Sequence, residues 1–303
     1  MKMTRYKNSE LSSLCLGTVQ LGMPYGIANS HGQPSKTEAY AILDTALRHN
    51  VNTFDTAQAY QNSENVLGDY QSAHPTHTMH IISKISSVQF SAEAEKSVRI
   101  SLRQLQSDTL FALLLHDSQA LKHWSNKEEK ILTQLKNKDM IKHFGVSIYN
   151  EEEFLVAVNN PSIDIIQIPF NLFDRRALEG RWFEKAHEAN KLIFIRSVYL
   201  QGLFFMSADH LPKKLESAAP FLRKLEHLAK ELNTDILELA LSFVRSAAPD
   251  AIIILGCETE AQLRENISLF NGCKTLNQNT LNIICDEITQ VPNTLYNPAL
   301  WNK

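Results

Sequence analysis

The sequence predicts a single-domain (β/α)8 TIM barrel of the α/β class with one extra helix near its C-terminal end. Three observations predict it. Eight short apolar runs alternate with longer amphipathic segments. The runs are almost continuously apolar, as in FALLLH and IIQI, which suits parallel strands buried on both faces. No GxGxxG follows the first run, which removes the main sequence support for a Rossmann domain. With no low-complexity linker and no break in composition, residues 1–303 read as one domain.

The strands are expected at Ser13–Gly17, Thr53–Asp55, His80–Ser83, Leu110–Leu115, His143–Ser147, Ile163–Ile168, Leu192–Ser197 and Ile252–Leu255. Helical periodicity fills the gaps at Lys36–His49, Ser63–Tyr70, Ala92–Leu105, Lys127–Lys136, Glu151–Asn159, Trp182–Asn190, Pro220–Leu232 and Ile236–Arg245. Glu260–Phe270 follows the last strand, and Leu276–Ile288 is expected to pack outside the barrel. Ser35 with Glu38 forms a capping-box pattern, in which hydroxyl and carboxylate satisfy each other's orphan amides. Asn150 ahead of Glu151, Glu152 and Glu153 places a cap and three carboxylates at the positive end of a helix.

Composition narrows the function. A hydrophobic fraction of 44% supports a sizeable core, and a net charge of −3 with interspersed signs leaves no basic footprint for nucleic acid or an anionic membrane. The N-terminal segment has no apolar run of signal-peptide length, and no stretch approaches the ~18 apolar residues of a spanning helix. Cys15, Cys257, Cys273 and Cys285 lack CxxC spacing, so no metal site or disulfide framework is expected and a reduced cytoplasm fits. Neither composition nor patterning sets the oligomeric state.

In such a barrel the residues at strand C-termini share one pocket. Asp55 ends its strand and Tyr60 lies in the loop beyond; Lys84 and His116 end the next two strands. Singly each has a plain explanation. Asp55 can cap its loop, Tyr60 can pack, Lys84 can snorkel, and His116 can be a satisfied rim residue. Together they place a carboxylate, a phenol, an ammonium and an imidazole around one rim. That set suits proton transfer to a carbonyl oxygen. A free tyrosine, with pKa ~10, is a poor acid, and a neighbouring ammonium favours phenolate. Lowering it by ~2 units corresponds to about 2.7 kcal/mol. Asp55 would hold Lys84 charged, His116 would hydrogen-bond the substrate oxygen, and Tyr60 would deliver the proton. No side chain supplies a hydride, so a cofactor must, and nicotinamide is the natural one.

The segment Asn52-Thr53-Phe54-Asp55-Thr56-Ala57-Gln58-Ala59-Tyr60, with Ser63-Glu64, Leu67-Gly68, Lys84 in IISK and His116 in LLLHD, resembles the aldo-keto reductase superfamily over nearly the whole chain. The resemblance implies NADPH-dependent reduction of an aldehyde or ketone, with NADH as the other option. It also implies a set of cofactor contacts. Gly17 and Thr18 would lie beneath the nicotinamide, and Ser147 and Gln167 would hold its carboxamide. Arg196 and Ser197 would follow, then Leu200, Gln201, Gly202 and Leu203 along the pyrophosphate. Gly256, Thr259, Gln262 and Asn266 would hold the adenosine end.

Some positions depart from the family pattern. Ile148 stands where many relatives have Asn. Arg196 stands where many have an aromatic ring; it can stack on nicotinamide or pair with an acid. Gly256 and Gln262 replace cations that some relatives offer a 2′-phosphate, leaving Arg264 or hydroxyls as substitutes. The loop Met23–Asn29 with Gly32–Ser35 resembles a bacterial subgroup associated with sugar and surface-polysaccharide metabolism, which implies a small carbonyl substrate of sugar origin. Tyr25, Phe90, Trp124, Phe173, Tyr199 and Phe205 are aromatic residues of the pocket loops or of the core. A reductase-like barrel that senses NADP(H) without turnover is the alternative. A lyase or hydrolase using a carboxylate pair or a metal lacks a ligand cluster, and His74, His77 and His80 read as a surface loop.

Overall fold

A computed structural model describes residues 1–301. Eight parallel strands close into a barrel: β3 (Leu14–Gly17), β4 (Thr53–Asp55), β5 (His80–Ile85), β6 (Leu110–Leu115), β7 (Ile141–Ser147), β8 (Ile165–Pro169), β9 (Leu192–Arg196) and β10 (Ile252–Gly256). Each strand pairs with its sequence neighbour, and β10 returns to β3 through Leu255 opposite Leu16. The expected ring helices form within a few residues of their expected bounds, except that the one expected from Ala92 begins five residues earlier, as Ser87–Gln104. Their caps are those the sequence encodes. Ser35 Oγ accepts from Glu38 N while Ser35 N donates to the Glu38 carboxylate at 2.8 Å, and Asn150 Oδ1 accepts from Glu153 N at 3.0 Å.

Strand periodicity sorts the side chains. Alternate residues face the axis, where Cys15, Ile82, Leu114, Ile165, Phe194 and Ile254 form an inner core. Lys84, two residues beyond Ile82, therefore points inward, whereas Ser83 points to the helix ring and donates to buried Glu64 at 2.5 Å. Phe54, flanked by inward Thr53 and Asp55, joins the outer core shared with the helices.

An element absent from the sequence reading closes the opposite end. Residues 1–12 contribute an antiparallel hairpin, β1 (Met3–Tyr6) and β2 (Ser9–Ser12), turned on Lys7 and Asn8 with Lys7 at φ 50°. Its Leu11 and Tyr6 reach the inner core, and Tyr6 meets His143 edge-to-face at 5.3 Å. The strands are too short and too polar to show an apolar alternation in the sequence. His80 is likewise not in a surface loop. It begins β5 against Phe111 at 5.2 Å, while His74 and His77 stack on each other at 5.9 Å beyond a helix end. The C-terminal helix Gln278–Glu287 packs outside through Leu281 and Ile284 and is tied by Arg175 to Cys285 O at 2.9 Å. No helix among the described residues is long and apolar enough to cross a membrane.

Asp164 anchors this closed end. It accepts from Lys7 at 2.6 Å, Lys136 at 3.2 Å and Phe144 N at 3.0 Å. Burial pushes its carboxyl up, but the hydrogen bonds and the two ammonium groups outweigh it and hold the group below the usual carboxylate range. A depressed folded-state pKa contributes stability above the unfolded value, about 3.9, and that stability is lost as pH falls through the folded value. Asp164→Asn is therefore expected to lower the melting temperature at pH 7, with the gap to wild type closing below about pH 4. Thermal melts across pH 3–7 measure this; an undiminished gap at pH 3 would remove the ionic role.

Candidate active site

A cleft of about 820 Å³ opens at the C-terminal ends of the strands. At its base Lys84 Nζ donates to Asp55 Oδ2 at 2.6 Å, to Thr56 O at 2.9 Å and to Tyr60 OH at 3.4 Å. The second Asp55 oxygen accepts from Gln167 Nε2 at 2.8 Å. Lys84 is 1% exposed, so its charge is affordable only because every partner is in place. The ring of His116 stands edge-on to that of Tyr60 at 5.8 Å. All four residues singled out in the sequence thus meet at one point.

The Tyr60 loop is held by a buried hydroxyl cluster. Thr18 Oγ1 and Thr56 Oγ1 lie 2.7 and 2.9 Å from Ser63 Oγ, which donates onward to Thr18 O at 2.9 Å. Gln58 N donates to Lys84 O at 3.1 Å, tying the loop to β5. Gly22 makes the close approach possible: a Cβ there would fall 1.9 Å from Tyr60 O and 2.6 Å from Ser63 N. Neither Ser63 nor Gly22 was a predicted site residue; the Ser63-Glu64 motif hinted at the first, and nothing local marks the second.

Electrostatics departs from the expectation at Tyr60. Burial raises its phenol, and the lowering by Lys84 does not overcome it, so the group stays above the usual tyrosine value. The phenol is a stable neutral acid. For Lys84, burial works against the charge, but Asp55 and Tyr60 prevail and the ammonium is strengthened. His116 is lowered to about 4, first by burial and then by the Lys84 charge, so it is a neutral imidazole near pH 7.

Of the expected cofactor contacts, Gly17, Thr18, Ser147, Gln167, Arg196, Ser197, Gln201, Gly202, Gly256, Gln262 and Asn266 line the cleft. Leu200, Leu203 and Thr259 do not. The two leucines are buried in the core, and Thr259 caps the Glu260–Gly272 helix by accepting from Gln262 N. Among the loop aromatics, Tyr25, Tyr199 and Phe205 line the cleft, whereas Phe90, Trp124 and Phe173 are outside its lining and pack against other aromatic rings. Tyr149, missed in the sequence, lines it as well. Arg196 carries no ion pair among the described residues. Its guanidinium lies 4.3 Å from the Tyr149 ring centroid and donates to Ile148 O at 3.1 Å, so Ile148 contributes its backbone carbonyl here. The Met23–Ser35 loop lies across the opening. Ile27 N donates to Gln201 O at 3.0 Å, and Gln201 Nε2 to Tyr25 OH at 2.7 Å. Ser197, Leu200, Gln201 and Gly202 all have positive φ, which shapes this turn. Among the described residues no group of three or more His, Cys, Asp or Glu is placed to hold a metal ion.

The family model for the aldo/keto reductase family matches residues 13–286. An uncharacterised oxidoreductase of Bacillus subtilis, YqkF, is 23% identical over 287 residues, covering 87% of this chain and 88% of that protein. Among solved structures, the aldo-keto reductase AKR11C1 of Bacillus halodurans superposes with a TM-score of 0.77 at 20% identity, covering 99% of each chain. The glycerol dehydrogenase AKR11B4 of Gluconobacter oxydans gives 0.76 at 21% identity, over 98% of this chain and 97% of that one.

Two outcomes follow from the geometry. In the free protein the His116 imidazole should stay neutral through pH 5.5, well below an ordinary midpoint of ~6.5, as read from its ring signals by NMR. A midpoint near 6.5 would contradict its burial beside Lys84. Gly22→Ala should displace Tyr60 and cut turnover at least about tenfold with folding retained, since a misplacement of about 1 Å costs up to 10²-fold. Unchanged kcat in that variant would show that the loop is not positioned by this contact.

Proposed function

The chain belongs to the aldo/keto reductase family, and from that premise we propose that its cleft reduces an aldehyde or ketone to the alcohol with Tyr60 as the proton donor. The enzyme is an NAD(P)H-dependent oxidoreductase. The observation that carries the assignment is the convergence of Lys84, Asp55, Tyr60 and His116 at the base of one cleft. The nicotinamide, when bound, supplies the hydride.

Two features of the cleft support such a dinucleotide. Its length runs from Tyr60 and His116 to the start of the Glu260–Gly272 helix, and its wall offers mainly neutral donors and acceptors. Gln20 Oε1 in that wall is buried without a partner, an acceptor suited to a ligand hydroxyl or amide. The family's usual NADPH and the alternative NADH both fit this description up to the adenosine ribose.

In the proposed step a substrate carbonyl oxygen is received between Tyr60 OH and the neutral His116. The imidazole donates a hydrogen bond without carrying charge, and Tyr60 gives up its proton as negative charge develops on oxygen. Lys84 lies 3.4 Å from the phenol oxygen and stabilises the phenolate left behind. The ground-state phenol is held protonated by burial, so the Lys84 charge acts where it is most useful, as the proton leaves. Asp55 and Gln167 keep the ammonium charged and aimed. Tyr25, Tyr149 and Phe205 with the polar loop residues form a wall suited to a sugar-derived carbonyl, whose faces are apolar and whose rim is hydroxylated.

Tyr60→Phe is expected to reduce carbonyl turnover by at least about 10²-fold while leaving dinucleotide affinity within about twofold. A panel of aldehydes and keto-sugars, followed by nicotinamide absorbance, measures the first, and fluorescence titration the second. Retained turnover would reject Tyr60 as the donor. Tight dinucleotide binding by the wild type with no turnover on any carbonyl would favour the sensor reading.

A further inference from the structure

The cleft is electrically lopsided. Its reaction end carries Arg196, whose charge is felt by Tyr60, His116 and Tyr25. Its far end is bounded by Gln20, Gly256, Glu258, Gln262 and Glu265, and among the described residues no lysine or arginine lines it. Arg264, the cation that the sequence offers nearby, is engaged elsewhere. Its Nε and Nη2 donate to Glu260 Oε1 at 3.1 and 2.5 Å, its Nη2 also reaches Thr45 Oγ1 at 3.4 Å, and it forms no part of the cleft wall.

Glu258 gives this end its character. Its side chain is 11% exposed, with Oε2 3.3 Å from Nδ1 of His31 in the loop that crosses the opening. Its backbone N–H donates to Gln262 Oε1 at 2.7 Å, so that amide oxygen is held at the helix start beside it. Position 256, a glycine beside the Gln20 amide, supplies no side chain of its own. The far end thus combines a nearly buried carboxylate, a second carboxylate, Glu265, and the neutral amides of Gln20 and Gln262, with no cation among the described residues lining it.

A dinucleotide whose nicotinamide meets Tyr60 and His116 must place its adenosine ribose toward this far end. A ribose 2′-hydroxyl donates to a carboxylate. A 2′-phosphate brings about −1.5 to −2 charges, is repelled by carboxylates and calls for a cationic partner, which this end lacks among the described residues. We infer that Glu258 selects an unphosphorylated adenosine ribose, so that the cleft prefers NADH over NADPH, against the family's usual preference. The inference rests on the proposal that this cleft holds a nicotinamide dinucleotide.

Dissociation constants of the full-length wild type for NADH and NADPH, from nicotinamide fluorescence titrations at two salt concentrations, test it without any turnover. NADH is expected to bind at least about tenfold more tightly, with the gap narrowing as salt screens the carboxylates. Glu258→Gln, nearly isosteric, should narrow the gap by improving NADPH binding, and Glu258→Arg should reverse it. NADPH binding as tightly as NADH to the wild type would overturn the inference while leaving the proposed reaction standing. A wild-type preference for NADH that neither Glu258 variant changes would overturn the assignment to Glu258. Binding of neither dinucleotide would overturn the proposed reaction and this inference together.

Discussion

The open end of the barrel is organised around one buried ion pair, Lys84 with Asp55. An ammonium and a carboxylate removed from water are costly unless each finds its full complement of partners. Here Thr56 O and Tyr60 OH take the remaining Lys84 protons, and Gln167 satisfies the second carboxylate oxygen. The arrangement therefore demands that β4, β5 and β8 keep their mutual positions, because a slip of one residue would send Lys84 into the helix ring. It also sets the state of its neighbours. The fixed positive charge helps keep His116 neutral, and it lies ready for the phenolate that Tyr60 would become.

The two ends of the barrel divide the labour. The closed end is plugged by the hairpin and organised on Asp164, whose partners Lys7 and Lys136 are charges at the surface with no access to the cleft. The open end keeps its polar groups on strand termini and in loops, where Thr18, Thr56 and Ser63 hold the Tyr60 turn by hydroxyl contacts. A rigid frame with the variable parts in the loops is what the barrel supplies to chemistry in general. In this chain the framing extends to a glycine contact at Gly22, where packing of backbone on backbone places a phenol.

Charge is distributed along the cleft with the same economy. Arg196 rests on the Tyr149 ring and the Ile148 carbonyl, leaving donors unspent near the reacting atoms. Carboxylates stand at the other end. A long ligand of the kind proposed, with polar groups at both ends, would thereby be oriented as well as held.

Much of this was legible from residue order alone. Strand and helix periodicities, capping residues such as Ser35 and Asn150, and the polar residues closing each apolar run are local patterns. Such patterns encode the barrel and mark Asp55, Tyr60, Lys84 and His116 as facing one mouth. The hairpin is not encoded in this local way, because four-residue polar strands have no periodicity long enough to mark them. Other facts depended on chain segments meeting across long separations. Gln167 completes Asp55 from 112 residues away, and Arg264 is taken by Glu260 and Thr45. Phe90 is buried in the core and Trp124 packs against it, and neither lines the cleft. The sign of the Tyr60 shift belongs to the same class, since it is a contest between burial and the Lys84 charge. Sequence names both contestants, but how much water is excluded, and so which one wins, is settled only when the fold closes around them.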